Sequence, residues 1–357
     1  MKNNLKLTIL FAGIVFSALF LSENKQRAQT KQVETAGQKF KNIKVLNEMP
    51  ADQMGKVMNI MSASLGVNCS FCHVENDFAR DDKEKKQEAR EMIKMTFELN
   101  KNHFDNRPEI TCNTCHRGEE HPQSALNLNL IAVEERPKQP ETKPTVEWIL
   151  EKYGQALGGK ANLAKIKSRW IKASRVEPNG KTEPEEIWQK SPNKLLVKTV
   201  YPAAVVTESF DGANVWKRVN ETPIDLKTDE IEEIRRNAEL FGSANLKDFY
   251  SKLEFSAVDK IDGREVNLIR ATTATGGRER LYFDRETGLL VRRTASVPTV
   301  LGNFVYQVDY SDYKDFGGVK LPATTRFAVP NITWTRKILE VKNNAAIEDA
   351  RFNQPAK

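Results

Sequence analysis

Met58-Asn-Ile-Met-Ser-Ala-Ser-Leu-Gly-Val-Asn-Cys-Ser-Phe-Cys-His73 ends on a five-residue signature that returns once, as Cys112-Asn-Thr-Cys-His116. In C-x-x-C-H the two thiols add across the vinyl groups of a porphyrin and the histidine becomes the proximal iron ligand, so the pattern reads as a c-type haem attachment site. All four cysteines of the chain lie in the two copies, as do two of its four histidines. Cys69, Cys72, Cys112 and Cys115 are therefore the candidate attachment thiols and His73 and His116 the candidate iron ligands. The cofactor expected is two covalently bound haem c groups. A four-cysteine zinc site and a redox C-x-x-C pair are the alternatives. Zinc knuckles are usually spaced about 15–20 residues apart, whereas Cys112 lies 40 positions after Cys72. Neither alternative requires a histidine in the same place twice.

Upstream of the first motif, Met54, Val57, Met58, Met61 and Leu65 fall on one stripe of a helix. Pro50 suits its first turn and Gly66 its C-terminal cap. This helix stops just short of Cys69, which forces its apolar face against the first haem. A second helix is predicted from about Asp82 to Asn102, with Ala89, Met92, Ile93, Met95, Phe97 and Leu99 as apolar positions, and Pro108 bars its extension. Each segment thus pairs a Met-x-x-Met helix with an attachment motif. A thioether is a good sixth ligand for a c-type haem, and Met/His ligation raises the reduction potential. Met58 and Met92 are the candidate distal ligands; Met95 and His103 compete with Met92 for the second iron. His121 reads as a loop residue within reach of that iron.

The N-terminus carries Lys2 and Lys6 ahead of an apolar run, Leu7 to Leu21. Residues 1–30 read as a signal peptide or signal anchor, the run being shorter than the ~20 residues that span a bilayer comfortably. Export agrees with covalent haem, which is attached outside the cytoplasm. With no spare cysteine there are no disulfides, and stability rests on core and cofactor. Residues 31–125 form the expected dihaem domain. A linker is placed at 126–145, where Pro137, Pro140 and Pro144 alternate with charges and keep the segment extended and unable to bury anything.

Residues 146–357 form the expected β domain. Thr145 to Leu157 reads as a helix on the stripe Val146, Ile149, Leu150, Tyr153 and Leu157. Strands follow around Trp170 and over Leu195–Thr199, Val205–Phe210, Val215–Arg218, Leu253–Val258, Val266–Thr272, Leu281–Phe283, Leu289–Thr294, Phe304–Tyr310 and Trp334–Val341. Turn signals such as Asp211-Gly212 and Asp262-Gly263 separate several of them. Such a series indicates an antiparallel sheet or open barrel, interrupted by one helix from Asp229 to Leu240. No histidine or cysteine follows His121, and the pairs Glu185/Glu186 and Glu232/Glu233 read as solvated faces. The fold class is α+β and multidomain: a small helical dihaem domain, then an antiparallel β half-barrel with a few helices.

The chain carries a net charge of +7, yet residues 31–125 sum to −1, so the excess lies in the N-terminal segment and the C-terminal half. That modest, scattered excess suits an anionic membrane surface better than nucleic acid.

Ser64-Leu-Gly-Val-Asn-Cys-Ser-Phe-Cys-His73 and Ile110-Thr-Cys-Asn-Thr-Cys-His-Arg-Gly118 resemble the haem sites of the tetrahaem cytochrome subunit of photosynthetic reaction centres, over roughly residues 40–122. In that family a short helix delivers methionine to the iron ahead of each of the first three attachment motifs, which implies Met58 as a distal ligand and Met92 by repeat position. Two of the family's four haem sites and its lipid-anchoring cysteine are absent here. Beyond the linker, Tyr282-Phe-Asp-Arg-Glu-Thr-Gly-Leu-Leu-Val-Arg292 and Asp309-Tyr-Ser-Asp-Tyr313 resemble the lipoprotein carrier and sorting family over about 147–355. That resemblance implies a curved half-barrel over helices whose apolar concave face holds acyl chains.

Together these readings describe an exported electron carrier and not an enzyme. It would exchange single electrons with donor and acceptor proteins, a membrane redox complex among them, in the periplasm or on the inner membrane. The rival readings are a peroxidase-like haem enzyme with an open iron site, and a lipid- or ligand-binding protein with an accessory haem domain.

Overall fold

Pro50 opens a short 3-10 turn, Ala51–Gln53, that runs directly into the first long helix of the chain. The computed structural model describes residues 33–125, 137–240 and 246–355. The expected signal segment and the first part of the linker lie outside these residues. The helical region holds α1 (Ala36–Lys39), α2 (Met54–Leu65), α3 (Glu84–His103) and α4 (Cys112–His116). Helix α2 spans its predicted stripe and ends at the predicted Gly66 cap, but it begins after Pro50, expected in its first turn and found instead ahead of the 3-10 turn. Gly66 ends it in the left-handed conformation at φ 67°, which glycine adopts without a Cβ penalty. Helix α3 starts two residues later than expected and runs one residue further, while α1 and α4 are too short for a periodic pattern to announce them.

After α5 (Val146–Ala156) and α6 (Gly159–Leu163) the chain becomes almost entirely sheet. Strands β1 (Ser168–Val176), β2 (Thr182–Lys190), β3 (Lys194–Tyr201), β4 (Ala204–Phe210), β5 (Val215–Val219) and β6 (Thr222–Pro223) form one meander. A second comprises β7 (Tyr250–Ile261), β8 (Arg264–Thr273), β9 (Arg278–Asp284), β10 (Leu290–Thr299), β11 (Gly302–Asp315), β12 (Lys320–Val329) and β13 (Ile332–Asn343). The pairing of β1 with β13 joins them into one open antiparallel sheet of 13 strands, in the order β6-β5-β4-β3-β2-β1-β13-β12-β11-β10-β9-β8-β7. The chain must therefore pass from one sheet edge, β6, to the other, β7. Helix α7 (Thr228–Ala238) lies on that crossing and packs Ile234 and Ala238 against Ile171, Ile187, Leu195 and Phe210. Helices α5 and α6 cover the other half, with Ile149, Tyr153, Leu157 and Leu163 in one core with Ile269, Leu281 and Phe283. The expected α+β class, helical region first and antiparallel sheet second, is what the chain adopts.

Every strand expected from the sequence is present; β2, β6 and β12 are additional. In β2 two of the inward positions, Glu183 and Glu185, are carboxylates. Glu185 is 2% exposed, accepts a hydrogen bond from Thr199 Oγ1 at 3.2 Å and forms a two-pronged ion pair with Arg336. It is not the solvated residue its composition suggested, because a buried carboxylate paired with a guanidinium has its charge met within the sheet. Glu233, on α7, likewise pairs with Arg293 at 2.6 Å and Arg236 at 3.4 Å.

The described part of the linker is also more structured than expected. The Gln139 side chain donates to Val258 O at 2.9 Å and accepts from Val258 N at 2.8 Å, completing the backbone pairing of the edge strand β7. Prolines cannot supply those bonds, but one amide side chain among them can.

The helical region borrows part of its core from the sheet. Leu301, in the β10–β11 turn, is 1% exposed and belongs to a cluster with Ala36, Leu46, Met49, Val57 and Ile93. Around it, Lys56 pairs with Asp229 at 3.1 Å, Lys227 Nζ donates to Asp52 O at 2.8 Å, and Asn331 donates to Asn59 at 3.1 Å.

Candidate haem site

The first motif follows the Gly66 cap directly. Cys69–Phe71 form a 3-10 turn, and the His73 N–H donates to Cys69 O at 3.0 Å, which brings the histidine back beside the cysteines. The His73 Nδ1 lies 3.1 Å from Phe78 O, and the Phe78 ring meets the imidazole edge-on at 5.3 Å. Burial holds this imidazole below its ordinary pKa, partly offset by the Phe78 carbonyl. A neutral ring with Nδ1 committed to a carbonyl presents Nε2 as the metal-binding nitrogen.

The loop that supplies Phe78 is folded around cations from α3. Lys86 Nζ donates to the carbonyls of Phe78 at 2.9 Å, Ala79 at 3.1 Å and Arg80 at 2.6 Å. Asp81 accepts from Arg90 at 2.8 Å, Lys44 at 2.7 Å, Asn42 at 2.9 Å and Lys86 at 3.0 Å. Arg90, followed by Lys44, Asn42 and Lys86, holds the Asp81 carboxyl well below the usual range.

The second motif is itself a helix. Thr111 caps α4, its N–H donating to Thr114 Oγ1 at 3.0 Å and its carbonyl accepting from Thr114 N at 3.0 Å. The entire Cys112–His116 signature occupies the turn that follows. Arg117 then takes the left-handed conformation at φ 52°, and His116 Nδ1 lies 3.1 Å from Glu119 O. Both motif histidines thus have the same ring nitrogen on a backbone carbonyl. The approach to α4 is fixed by Asn100, a buried α3 residue whose side chain donates to Ile110 O at 2.8 Å and accepts from Ile110 N at 2.9 Å.

Cys72 of the first motif and Cys112, Cys115 and His116 of the second line one cleft between α2, α3 and α4. It encloses about 190 Å³ and opens to solvent, and its wall is largely apolar, with Met61, Leu65, Phe71, Ile93, Leu99 and Ile110. Burial pushes the Cys72 and Cys112 thiols up, so both are protonated at neutral pH. Paired thiols, a histidine offering Nε2 and an apolar wall are the donor set and surroundings that a c-type haem takes. Among the described residues no three Cys, His, Asp or Glu side chains converge as metal ligands.

The candidate distal ligands are distributed unevenly. Met92 and Met95 of α3 both line the cleft and stand 42% and 43% exposed, unusually open for thioethers in a small domain. His103 is exposed at the end of α3, and His121 lies at the cleft margin with its side chain 85% exposed. Met58 is partly buried against the Val57–Ile93–Leu301 core, and Met61, one turn on, faces the cleft. Asn100, Lys86 and Arg90 are the site-building residues that motif reading misses. Their only trace in the sequence is polarity on the inner face of an otherwise apolar helix stripe.

Residues 16–146 match the model of the family described as photosynthetic reaction centre cytochrome C subunit. Cytochrome c-554 of Chloroflexus aurantiacus is 35% identical over 81 residues, covering 21% of this chain and 20% of that protein. The photosynthetic reaction center cytochrome c subunit of Roseobacter denitrificans is 34% identical over 104 residues, covering 24% of this chain and 28% of that protein. The chain thus spans 20% and 28% of the lengths of these curated relatives. The helical region carries the likeness to reaction-centre cytochromes that its two motifs led us to expect, over a longer stretch than residues 40–122. Two solved structures resemble the sheet region. A DUF1329 family protein from Desulfovibrio piger has a TM-score of 0.43 at 12% identity and covers 59% of this chain and 98% of that one. A LolA superfamily protein from Nitrosomonas europaea has a TM-score of 0.42 at 13% identity and covers 59% and 99%.

Proposed function

We propose that this chain is an exported, dihaem c-type cytochrome that passes single electrons between donor and acceptor proteins and transforms no substrate. The observation that carries the reading is the paired geometry of the motifs. Each histidine sits beside its cysteines with Nδ1 on a carbonyl, and thiols of both motifs face one apolar cleft. The likeness of the helical region to cytochrome relatives supports it further. Cys69 and Cys72 would hold one haem and Cys112 and Cys115 the other, with His73 and His116 as the proximal ligands. Met58 and Met92 are the distal candidates, with Met95 equally well exposed to the cleft. Bound there, haem iron supplies reversible one-electron chemistry between its ferric and ferrous states.

The protein's own part is to hold and insulate. Asn100 and Lys86 fix the two histidine-bearing segments, and the apolar wall keeps water from the thioether-linked edge. Both attachment sites lie in one small domain over residues 31–125, so a haem held at each would share one protein environment. The sheet domain from residue 146 docks that domain through Leu301 and the Lys56–Asp229 pair. Redox partners reach the haems at the open side of the cleft, in the periplasm or at a membrane surface.

The test is a reductive titration of the purified, haem-loaded protein. The intact chain takes up two electrons per molecule, and the double variants Cys69→Ala/Cys72→Ala and Cys112→Ala/Cys115→Ala each take up one. Uptake unaltered by either pair of substitutions contradicts the assignment.

A further inference from the structure

Contacts from the sheet domain gather on one turn of α2. Lys56 pairs with Asp229 at 3.1 Å, Val57 is buried in the cluster that Leu301 enters, and Asn59 accepts from Asn331 at 3.1 Å. Met58 lies between them in the chain. Lys56 and Asn59, three positions apart, share the polar face of the helix. Met58 belongs instead to the apolar stripe, with Met54, Val57 and Met61. The sheet domain therefore grips α2 from behind its thioethers.

Each anchor is itself held from the sheet. Asp229 stands in the first turn of α7 and accepts from the Tyr306 hydroxyl of β11 at 2.9 Å. The Tyr306 ring meets the buried Phe304 ring edge-on at 5.0 Å. Leu301 is presented by a turn in which its N–H donates to Thr299 Oγ1 at 3.3 Å, and that hydroxyl donates to Gly302 O at 2.7 Å. The Lys56 and Asp229 side chains are 12% and 30% exposed, so water screens this pair less than an open surface contact. Successive side chains on a helix are separated by about 100° around its axis, so a roll of α2 changes which thioether its stripe presents. Anchors on the polar face and at Val57 fix that roll.

We infer that the sheet domain sets the reduction potential of the haem at the first motif, with Lys56, Asp229 and Tyr306 as positioning residues for Met58, a reading that rests on the distal role proposed for Met58. A thioether sixth ligand raises the potential of a c-type haem, so loosening the Met58 turn lowers it. Charge alone has the opposite sign. Removing the Asp229 carboxylate leaves the protein less negative, which favours the reduced haem and raises the potential. Variants at Asp229 thus separate position from charge.

The experiment is a potentiometric titration of the full, haem-loaded chain, followed by absorbance. It compares the native chain with Asp229→Asn, Asp229→Lys and the charge-exchanged Lys56→Glu/Asp229→Lys. Asp229→Asn keeps the size of the native side chain and an oxygen for Tyr306, so it retains the fold. Both single variants are expected to lower one of the two midpoint potentials and to weaken the long-wavelength band of methionine-ligated ferric iron. The exchanged pair restores both readouts. The same shift appears in the Cys112→Ala/Cys115→Ala background, which keeps the first haem alone. A merely structural pair lowers the melting midpoint and leaves potential and band unmoved; that result, in a chain whose mass shows two covalent haems, overturns the inference. A potential that rises, or a shift that the exchanged pair does not reverse, overturns it as well. A chain without covalent haem overturns instead the dihaem reading beneath it.

Discussion

The backbone N–H of Gly118 donates to the carbonyl of Ser64 at 2.8 Å, which fastens the last turn of α2 to the residues just after the second motif. The two C-x-x-C-H signatures, far apart in sequence, are thereby held at one end of the same helix. The approach is so close that a Cβ placed on Gly66 would stand 2.1 Å from Gly118 O, and Gly66 itself is at φ 67°.

Gly66→Ala therefore meets both a left-handed backbone and a collision with main chain that has no room to move. A loss of about 1–3 kcal/mol is expected from the strained conformation alone, with the clash adding to it. Thermal unfolding of the haem-loaded protein should show a lower midpoint. An unchanged midpoint would mean that the two motif segments are not joined in this way.

Asn100→Ala removes two hydrogen bonds at a buried position and leaves the N–H and C=O of Ile110 unmet. The expected cost is about 1–3 kcal/mol, read as a lower denaturant midpoint with the slope unaltered. The segment from Phe104 to Thr111 should also lose protection from hydrogen exchange before α2 does.

Asp81 gives the helical region a pH dependence of definite sign. Its carboxyl is held down by Arg90, Lys44, Asn42 and Lys86, so the folded state binds a proton less readily than the unfolded chain. A depressed carboxylate contributes stability that is complete above the unfolded value of about 4 and fades as pH falls below it. Melting curves taken from pH 7 downward should fall below about pH 4 in the wild type, and Asp81→Asn should flatten that part of the profile. A variant with the same acid limb as the wild type would show that Asp81 takes no part in it.

Leu301→Ala empties a core position of the helical region from the sheet side. Large-to-small changes at fully buried sites cost about 2–5 kcal/mol. Hydrogen exchange should show the loss first at Val57 and Ile93, its neighbours across the boundary, and not in the strands of its own sheet. Uniform destabilisation of the sheet with α2 untouched would contradict a shared core.

How much of this was legible in the sequence differs by element. Helix α2 was readable from its stripe and its closing glycine, while Pro50, expected in its first turn, opens the 3-10 turn ahead of it. The strands around Ile269, Leu281 and Val308 were readable because short apolar runs there are separated by turn signals such as Asp262-Gly263, Thr287-Gly288 and Gly317-Gly318. Strand β2 was not, because two of its buried positions are Glu183 and Glu185, and the ion-pair partner of Glu185, Arg336, lies on a strand remote in sequence. Gln139 hid in a run of prolines and charges that reads as a free spacer, since its docking depends on an unpaired edge that only the sheet order reveals. In the site, the cysteines and histidines were plain from their spacing. Asn100, Lys86 and Arg90 were not, because each acts on a carbonyl or carboxylate brought near by the loops, and no pattern marks a carbonyl.

The most direct measurement of the central claim is the intact mass of the mature chain, matured in an exporting host with its haem-attachment machinery, taken together with its absorption spectrum. The account predicts a mass raised by two haem groups, one for each C-x-x-C-H motif. It also predicts low-spin ferric bands with the weak long-wavelength absorption of methionine-ligated iron. A mass raised by one haem with a high-spin spectrum, or a mass showing no covalent haem, would contradict it.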